Sequence, residues 1–318
     1  MSRILVVAPN WIGDALMAQP LLARLREQHP DARLEVLAPE WVAPVARRMP
    51  EVDEVITAPF RHGALHLGKR WRLGRALKDR RYAQAIVLPN SWKAALVPFF
   101  AHIPVRSGYV GESRYGLLNQ LHRNGKDAMR DHYARLAGTP GATAAAALPQ
   151  PRLRIDAAQV AATRARFGLE NPYVALCPGA EYGPAKRWPY FAELAARLQR
   201  PVVLLGSPND ASAAAGIGGR NLVGGTTLDE AIDLIAGADL VVTNDSGLMH
   251  VAAALGRPLV ALFGSSSPEK TPPQTGRSRV LWLKPECSPC YQRECPLGHF
   301  RCMREISVES VLAEMARL

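Results

Sequence analysis

Short apolar runs that end in small, polar or proline residues and pass at once into a helical period recur along this chain, and that alternation restricts its fold more than any other feature. In the first half, residues 4–8 read as a buried strand, 15–28 as a helix, 33–38 as a strand and 42–48 as a helix. Residues 52–57 and 85–88 supply further strands, with a basic helical segment over 67–81 between them. Strands apolar on both faces belong to a covered, mostly parallel sheet, and strand–helix alternation places the chain in the α/β class. Between 139 and 151 the pattern lapses into Thr-Pro-Gly-Ala-Thr, an alanine run and Pro-Gln-Pro, which is linker chemistry. We therefore expect two Rossmann-like domains, 1–150 and 151–318, and the 318 residues suit about two domains of roughly 150 each. After a helix over 156–167, strands are expected at 173–176, 202–205, 240–243 and 259–263, and helices at 190–199, 228–236, 248–255 and 308–318. Two such sheets facing each other across a cleft is the expected assembly.

Several classes lose their support. Met1-Ser2-Arg3 runs straight into the first strand without an apolar leader, so no export is expected. Apolar runs such as Leu96-Val97-Pro98-Phe99-Phe100 are broken by proline and fall short of the roughly 20 residues a membrane span needs. Neither G-x-G-x-x-G after the first strand nor G-x-x-x-x-G-K-[ST] occurs, which removes the main support for dinucleotide oxidoreductases and P-loop enzymes. The formal net charge of +11 calls for anionic partners: nucleic acid, phosphorylated substrates or an anionic membrane surface.

Three segments carry chemistry. In Val242-Thr243-Asn244-Asp245-Ser246-Gly247-Leu248-Met249-His250 a buried strand ends in small polar residues and a helix begins at once. Asp245 or Ser246 can cap that helix, whose N–H groups and positive dipole end suit a phosphate, and Gly247 lets a ligand approach. A capped helix with no ligand, and His250 as an ordinary core histidine, are the plain alternatives. Cys177-Pro178-Gly179-Ala180-Glu181-Tyr182-Gly183-Pro184-Ala185-Lys186-Arg187-Trp188-Pro189 also joins a strand to a helix, and Lys186 is its one flexible ammonium. Both loops leave the same edge of one expected sheet. In Ala8-Pro9-Asn10-Trp11-Ile12-Gly13-Asp14 the turn after the first strand offers a carboxylate, Asp14, as general base or as helix cap.

Together, Pro9-Asn10-Trp11-Ile12-Gly13-Asp14, Lys186-Arg187-Trp188-Pro189 and Asn244-Asp245-Ser246-Gly247-Leu248-Met249-His250 followed by Gly264 resemble the ADP-heptose:lipopolysaccharide heptosyltransferases, glycosyltransferase family 9. The Asn-Trp-Ile-Gly-Asp form, with Gly111-Glu112-Ser113-Arg114-Tyr115-Gly116-Leu117-Leu118-Asn119, is similar to the type II branch more than to type I. The resemblance spans essentially the whole chain. It implies a GT-B fold with an acceptor-binding first domain, a donor-binding second domain, and inverting transfer of L-glycero-D-manno-heptose from ADP-heptose to the first heptose of the Kdo-lipid A inner core. By motif, Asp14 is the base, and Asn10 and Gly13 lie on the acceptor side. Lys186 neutralises the diphosphate, with Asp245, Ser246, Gly247 and His250 around it; Asp210 holds the ribose, and Thr226 and Thr227 line the adenine pocket. No cofactor is expected, because Lys186 and the helix N-terminus can carry the charge that a divalent metal carries elsewhere. The expected location is the cytoplasmic face of the bacterial inner membrane, with the protein peripheral to it and nucleic acid not a partner.

Arg61, Lys69, Arg70, Arg72, Arg75, Lys78, Arg80 and Arg81 crowd one segment around Trp71 and form the expected basic surface for acceptor or anionic lipid. Trp92, Phe99 and Phe100 are candidates for dipping into the interface, although singly such aromatics read as core. Cys287-x2-Cys290-x4-Cys295-x6-Cys302, with His299 inside it, holds enough soft ligands for a tetrahedral zinc site; reduced thiols in a tight loop are the favoured alternative, and Cys177 reads as core. Another heptosyltransferase of the family, a GT-B nucleotide-sugar epimerase and a basic nucleic-acid-binding module are the rival readings.

Overall fold

The structure, a computed structural model, describes every residue except Met1, Arg61, His62, Lys126, residues 142–146 and Glu170. Arg61 of the basic segment and part of the linker-like stretch thus lie outside the described residues. The chain divides into two compact units, Met1–Pro151 and Arg152–Leu318.

The first unit is built on six parallel strands: β1 (Arg3–Val7), β2 (Arg33–Pro39), β3 (Glu54–Ala58), β4 (Gln84–Val87), β5 (Val105–Tyr109) and β6 (Gln120–His122), in the order β3-β2-β1-β4-β5-β6. The second repeats that winding with β7 (Val174–Cys177), β8 (Val202–Leu204), β9 (Arg220–Asn221), β10 (Leu240–Asn244), β11 (Leu259–Phe263) and β12 (Ser278–Trp282), in the order β12-β11-β10-β7-β8-β9. In each sheet the chain reverses its direction of travel once, between β1 and β4 and between β7 and β10. Loops leaving the carboxyl ends at such a switch point diverge and leave a crevice.

The central strands β7, β10 and β11 are buried at every position, so their unbroken apolar runs match a sheet covered on both faces. Tyr173, Leu176, Val242 and Phe263 anchor the core of the second unit, and Leu5, Leu37, Ile86 and Val87 that of the first. Where one helix was expected over 15–28 there are two, Ile12–Met17 and Gln19–Gln28, because Pro20 has no N–H to continue the first and sits in the opening turn of the second. Asp156 accepts from Ala158 N at 2.9 Å and caps the Ala157–Arg166 helix.

Four strands carried no clear signal. β5 holds Arg106, Ser107 and Gly108, β6 and β9 are two or three residues long, and β12 is largely exposed. Gly108 is required by close packing: a Cβ there would stand 2.8 Å from Leu118 Cδ1 and 3.0 Å from Val87 O.

Candidate active site

β7 and β10 are hydrogen-bonded neighbours, with Cys177 opposite Thr243, so the two loops singled out in the second unit leave the sheet side by side at its switch point. Asn244, fully buried at the end of β10, ties them together. Its amide donates to Pro178 O at 2.8 Å and Gly179 O at 3.3 Å, and its Oδ1 accepts from Trp188 N at 3.1 Å. In the sequence the only mark of this role of Asn244 is a polar residue closing a buried, mainly apolar strand.

Beside it, Lys186 Nζ donates to Asp245 Oδ2 at 2.5 Å, and Ser266 Oγ donates to the same oxygen at 2.5 Å. The ammonium also lies 4.9 Å from the centre of the Tyr182 ring. The expectation that Asp245 or Ser246 caps the next helix is corrected. Ser246 occupies the cap position of Gly247–Ala254 but makes no side-chain cap bond, its hydroxyl lying 3.3 Å from Thr243 Oγ1, while Asp245 is held by Lys186 and Ser266. The opening turn of this eight-residue helix thus carries no side-chain cap, at the dipole end that favours an anion. His250 is buried in that helix, and burial pushes its imidazole down to about 4, with Asp245 opposing and Lys186 assisting. It is neutral at pH 7.

Asp210 sits in the turn after β8. Its Oδ2 accepts from Ser207 N at 2.9 Å and Ser207 Oγ at 2.8 Å. Its Oδ1 is buried and has no hydrogen-bond partner among the described residues, with an Arg187 nitrogen 4.0 Å away, and so is a spare acceptor. Gly179 makes room for it, since a Cβ there would fall 2.1 Å from Asp210 Cγ. Thr227 is a helix cap: its Oγ1 accepts from Glu230 N at 3.2 Å, and the Glu230 carboxylate accepts in turn from Thr227 N at 2.8 Å. Thr226 precedes it, half-buried.

In the first unit, Asp14 lies in the first turn of Ile12–Met17, half-buried, and is not the cap; Trp11 holds that position. Gly13 is buried beside it. Near Asp14 stands Tyr133, whose phenol is raised well above its ordinary value by burial and then by the Asp14 and Tyr109 charges. Asn10, whose carbonyl accepts from Trp41 Nε1 at 2.7 Å, lines a cavity of about 250 Å³ at the carboxyl ends of β1 to β4, together with Phe60, Arg70, Ser91 and Lys93. Arg114 explains part of the 111–119 segment. Buried almost completely, it donates to carbonyls of Tyr109, Pro89 and Ser91 and to Asn90 Oδ1, fastening the loop after β5 to the loop after β4. Burial pushes it down to about 10, Glu112 opposing, so it stays charged at neutral pH.

The expected basic surface is smaller than the sequence suggests. Arg70 is buried over the Phe60 ring and donates to Leu65 O at 2.6 Å and Lys93 O at 3.0 Å. Arg80 is drawn with Arg3, Arg33 and Tyr82 around the fully buried Glu35 carboxylate. Lys69, Arg72, Arg75, Lys78 and Arg81 remain exposed. Of the aromatics whose plain reading was core, Trp92 at 40 % and Phe99 at 41 % exposure are instead at the surface and Phe100 is half-buried; Trp71, amid the basic residues, is 52 % exposed.

All five cysteines are free thiols, and Cys177 is core. Burial raises Cys295, but backbone N–H groups of Phe300, Leu297, His299 and Gly298 outweigh it and leave the thiol below its ordinary value. Among the described residues no three His, Cys, Asp or Glu side chains, as they stand, converge to hold a metal ion.

Comparison with known proteins agrees with this geometry. The model of glycosyltransferase family 9 (heptosyltransferase) matches residues 70–301. The chain is 45 % identical to lipopolysaccharide heptosyltransferase 2 of Salmonella typhimurium over 99 % of this chain and 98 % of that protein. It is 43 % identical to lipooligosaccharide heptosyltransferase 2 of Haemophilus influenzae over 88 % of each. The solved structure of Escherichia coli ADP-heptose LPS heptosyltransferase II aligns with a TM-score of 0.88 at 42 % identity, covering 100 % of this chain and 98 % of that one. Two all-parallel sheets of one winding, loops paired at the switch point, and relatives alike along the full length place this chain in glycosyltransferase family 9, the heptosyltransferases.

Proposed function

We propose that the chain transfers L-glycero-D-manno-heptose, with inversion, from ADP-heptose to the first heptose of the Kdo-lipid A inner core in lipopolysaccharide biosynthesis. The observation that carries this reading is the switch point of the second unit, where an uncapped helix N-terminus and the Lys186 ammonium converge on one edge of the sheet. The names of the relatives support a heptosyl donor and a lipopolysaccharide-type acceptor.

In this reading the diphosphate lies on the N–H groups opening Gly247–Ala254, with Lys186 beside it and Ser246 and the neutral His250 flanking. Asp210 Oδ1 accepts from a ribose hydroxyl, and the Thr226 backbone lies along the adenine. Thr227 serves by shaping that turn, because its hydroxyl is committed to the helix cap. As the C1–O bond breaks, the anomeric carbon gains oxocarbenium character and negative charge grows on the departing phosphate, so fixed donors there favour the transition state over the ground state. Asp14, flanked by Asn10 and Gly13, takes the proton from the acceptor hydroxyl as it attacks. Since Lys186 and the helix supply the positive charge, the transfer step takes no divalent cation; activity lost in chelator and restored by magnesium would contradict this.

We further place the protein at the cytoplasmic face of the inner membrane. Trp71, Trp92 and Phe99 stand exposed in the same unit as Lys69, Arg72, Arg75, Lys78 and Arg81, a combination suited to an anionic interface. Among the described residues no helix is long and apolar enough to cross a membrane. Nucleic acid has no part in this reading.

The test is ADP release from ADP-L-glycero-β-D-manno-heptose with heptosyl-Kdo-lipid A as acceptor, comparing wild type with Asp14→Ala of matched thermal stability. Acceptor-dependent release abolished by the substitution is the expected result. Release without acceptor, or none at all, overturns the assignment.

A further inference from the structure

Residues 283–300 run for 18 positions without helix or strand, between β12 and the Arg301–Arg304 helix. Connections of that length inside a compact unit are uncommon unless something fixes them. Apolar burial does only part of that here, because among the segment's own large apolar residues Leu283, Tyr291 and Leu297 are exposed and Phe300 is only half-buried. What the segment does hold is thiols. A cavity of about 20 Å³, room for one small body, is lined by Cys287, Cys290, Cys295 and Cys302 together with His299 and Ala185.

The local backbone suits a thiolate at one of these positions. Phe300 N donates to Cys295 Sγ at 3.4 Å, and His299 Nδ1 lies 4.0 Å from the same sulfur. Two cysteines arrive from the 287–290 turn, one from the 295–300 turn and one from the helix that ends the segment, so an ion held by all four would cross-link its whole length.

We propose that Cys287, Cys290, Cys295 and Cys302 form a tetrahedral thiolate site for one soft divalent ion of the zinc or iron(II) class. Four sulfur donors select such ions over magnesium or calcium. Each thiol gives its proton to solvent as it binds, and χ1 rotation between staggered wells brings the sulfurs inward onto the ion. The ion is a staple for the fold and takes no part in the transfer.

Its consequence for the transfer rests on the function proposed above. The segment is seated against the turn that carries Lys186. Ala185 N donates to Arg293 O at 3.0 Å, the Tyr182 hydroxyl donates to Tyr291 O, and Tyr291 N donates to Ser265 O at 2.7 Å. Gly183 has φ 142°, and a Cβ there would stand 2.5 Å from Arg293 O, so the two stretches fit without spare room. Loosening the staple loosens the mount of the Lys186 ammonium.

The deciding experiment uses the full chain, purified reduced and without a histidine tag. Elemental analysis is expected to find about one zinc or iron per chain. Cobalt(II) added to metal-free protein is expected to give sulfur-to-metal charge-transfer absorption and tetrahedral ligand-field bands, saturating at about one equivalent and bleached by zinc. The paired change Cys287→Ser/Cys302→Ser removes both signals, whereas Glu286→Gln keeps them. Protein that carries no metal and gives only the weak spectrum of octahedral cobalt overturns the proposal, as does recovery of the four cysteines as two disulfides. These readouts need neither donor nor acceptor, so they stand apart from any failure of the heptosyl assignment.

Discussion

Lys186 and Asp245 form an ion pair at 2.5 Å in which the lysine side chain keeps 15 % of its surface and the aspartate 5 %. An ammonium has three donors, and the pair uses one to aim the group. Lys186→Ala is expected to lower kcat about 10²–10³-fold, the usual cost of removing one fixed donor to a developing anion. Asp245→Asn keeps the shape but not the charge and should cost less. In a double-mutant cycle the second change should add little to Lys186→Ala; additive losses in steady-state ADP release would show that the two residues act independently.

His250 makes stability depend on pH in a stated direction. At pH 7 the residue is neutral folded or unfolded and contributes nothing. Below the unfolded value of 6.5 the unfolded chain takes up a proton that the folded chain refuses until about pH 4, so folding weakens as pH falls through that window. The full loss below pH 4 is about 3 kcal/mol. Urea melts of wild type and His250→Asn between pH 7 and 4 should diverge accordingly, and parallel curves would refute it.

Asn244→Ala removes the amide that joins the two loops. Buried partners left at Trp188 N, Pro178 O and Gly179 O cost about 1–3 kcal/mol each when unsatisfied, so a loss of about 3 kcal/mol or more is expected in equilibrium unfolding. A shift below about 1 kcal/mol would mean that water takes over those bonds.

Gly179→Ala drives a methyl into the Asp210 carboxylate, whose oxygens would lie 2.3 and 2.5 Å away. Asp210 has to leave its turn, and ADP affinity should fall by about tenfold or more if the carboxylate holds the ribose. Titration calorimetry with ADP reads this directly; unchanged affinity removes Asp210 from the site.

Binding to vesicles rich in anionic lipid should weaken steeply as salt rises, and Trp71→Ala should weaken it at every salt concentration. Sedimentation of the protein with vesicles, indifferent to salt, lipid charge and Trp71, would rule out this surface.

The alternation was legible because the central strands are apolar on both faces, and β7, β10 and β11 announce themselves in any window. β5 did not, because Arg106 spends its charge on carbonyls of Leu117 and Ile103 and so hides a strand inside a polar-looking run. The same limit governs the site. Asp245 was visible as a polar residue at a strand end, Lys186 as the one ammonium of its loop and Asp210 through the family resemblance, whereas the burial of Arg70 over Phe60 and the tie of Arg80 to Glu35 depend on partners that are remote in sequence. The duty of Thr227 as a cap could have been read from Glu230 three positions later.

The strand order also bears on how the chain is made. β1 leaves the ribosome before the other strands of its sheet, yet it ends in mid-sheet with β2 on one side and β4 on the other. Its second edge stays open until Gln84–Val87 have been synthesised, roughly 4–16 s later at about 5–20 residues per second. During that interval Ile4, Leu5 and Val6 offer an unpaired apolar edge, a template for any neighbouring nascent strand. The wait recurs for β7 until Leu240–Thr243 arrive. Expression at lower temperature or with a holdase should therefore raise the yield of folded protein more than any change at the surface of the finished molecule.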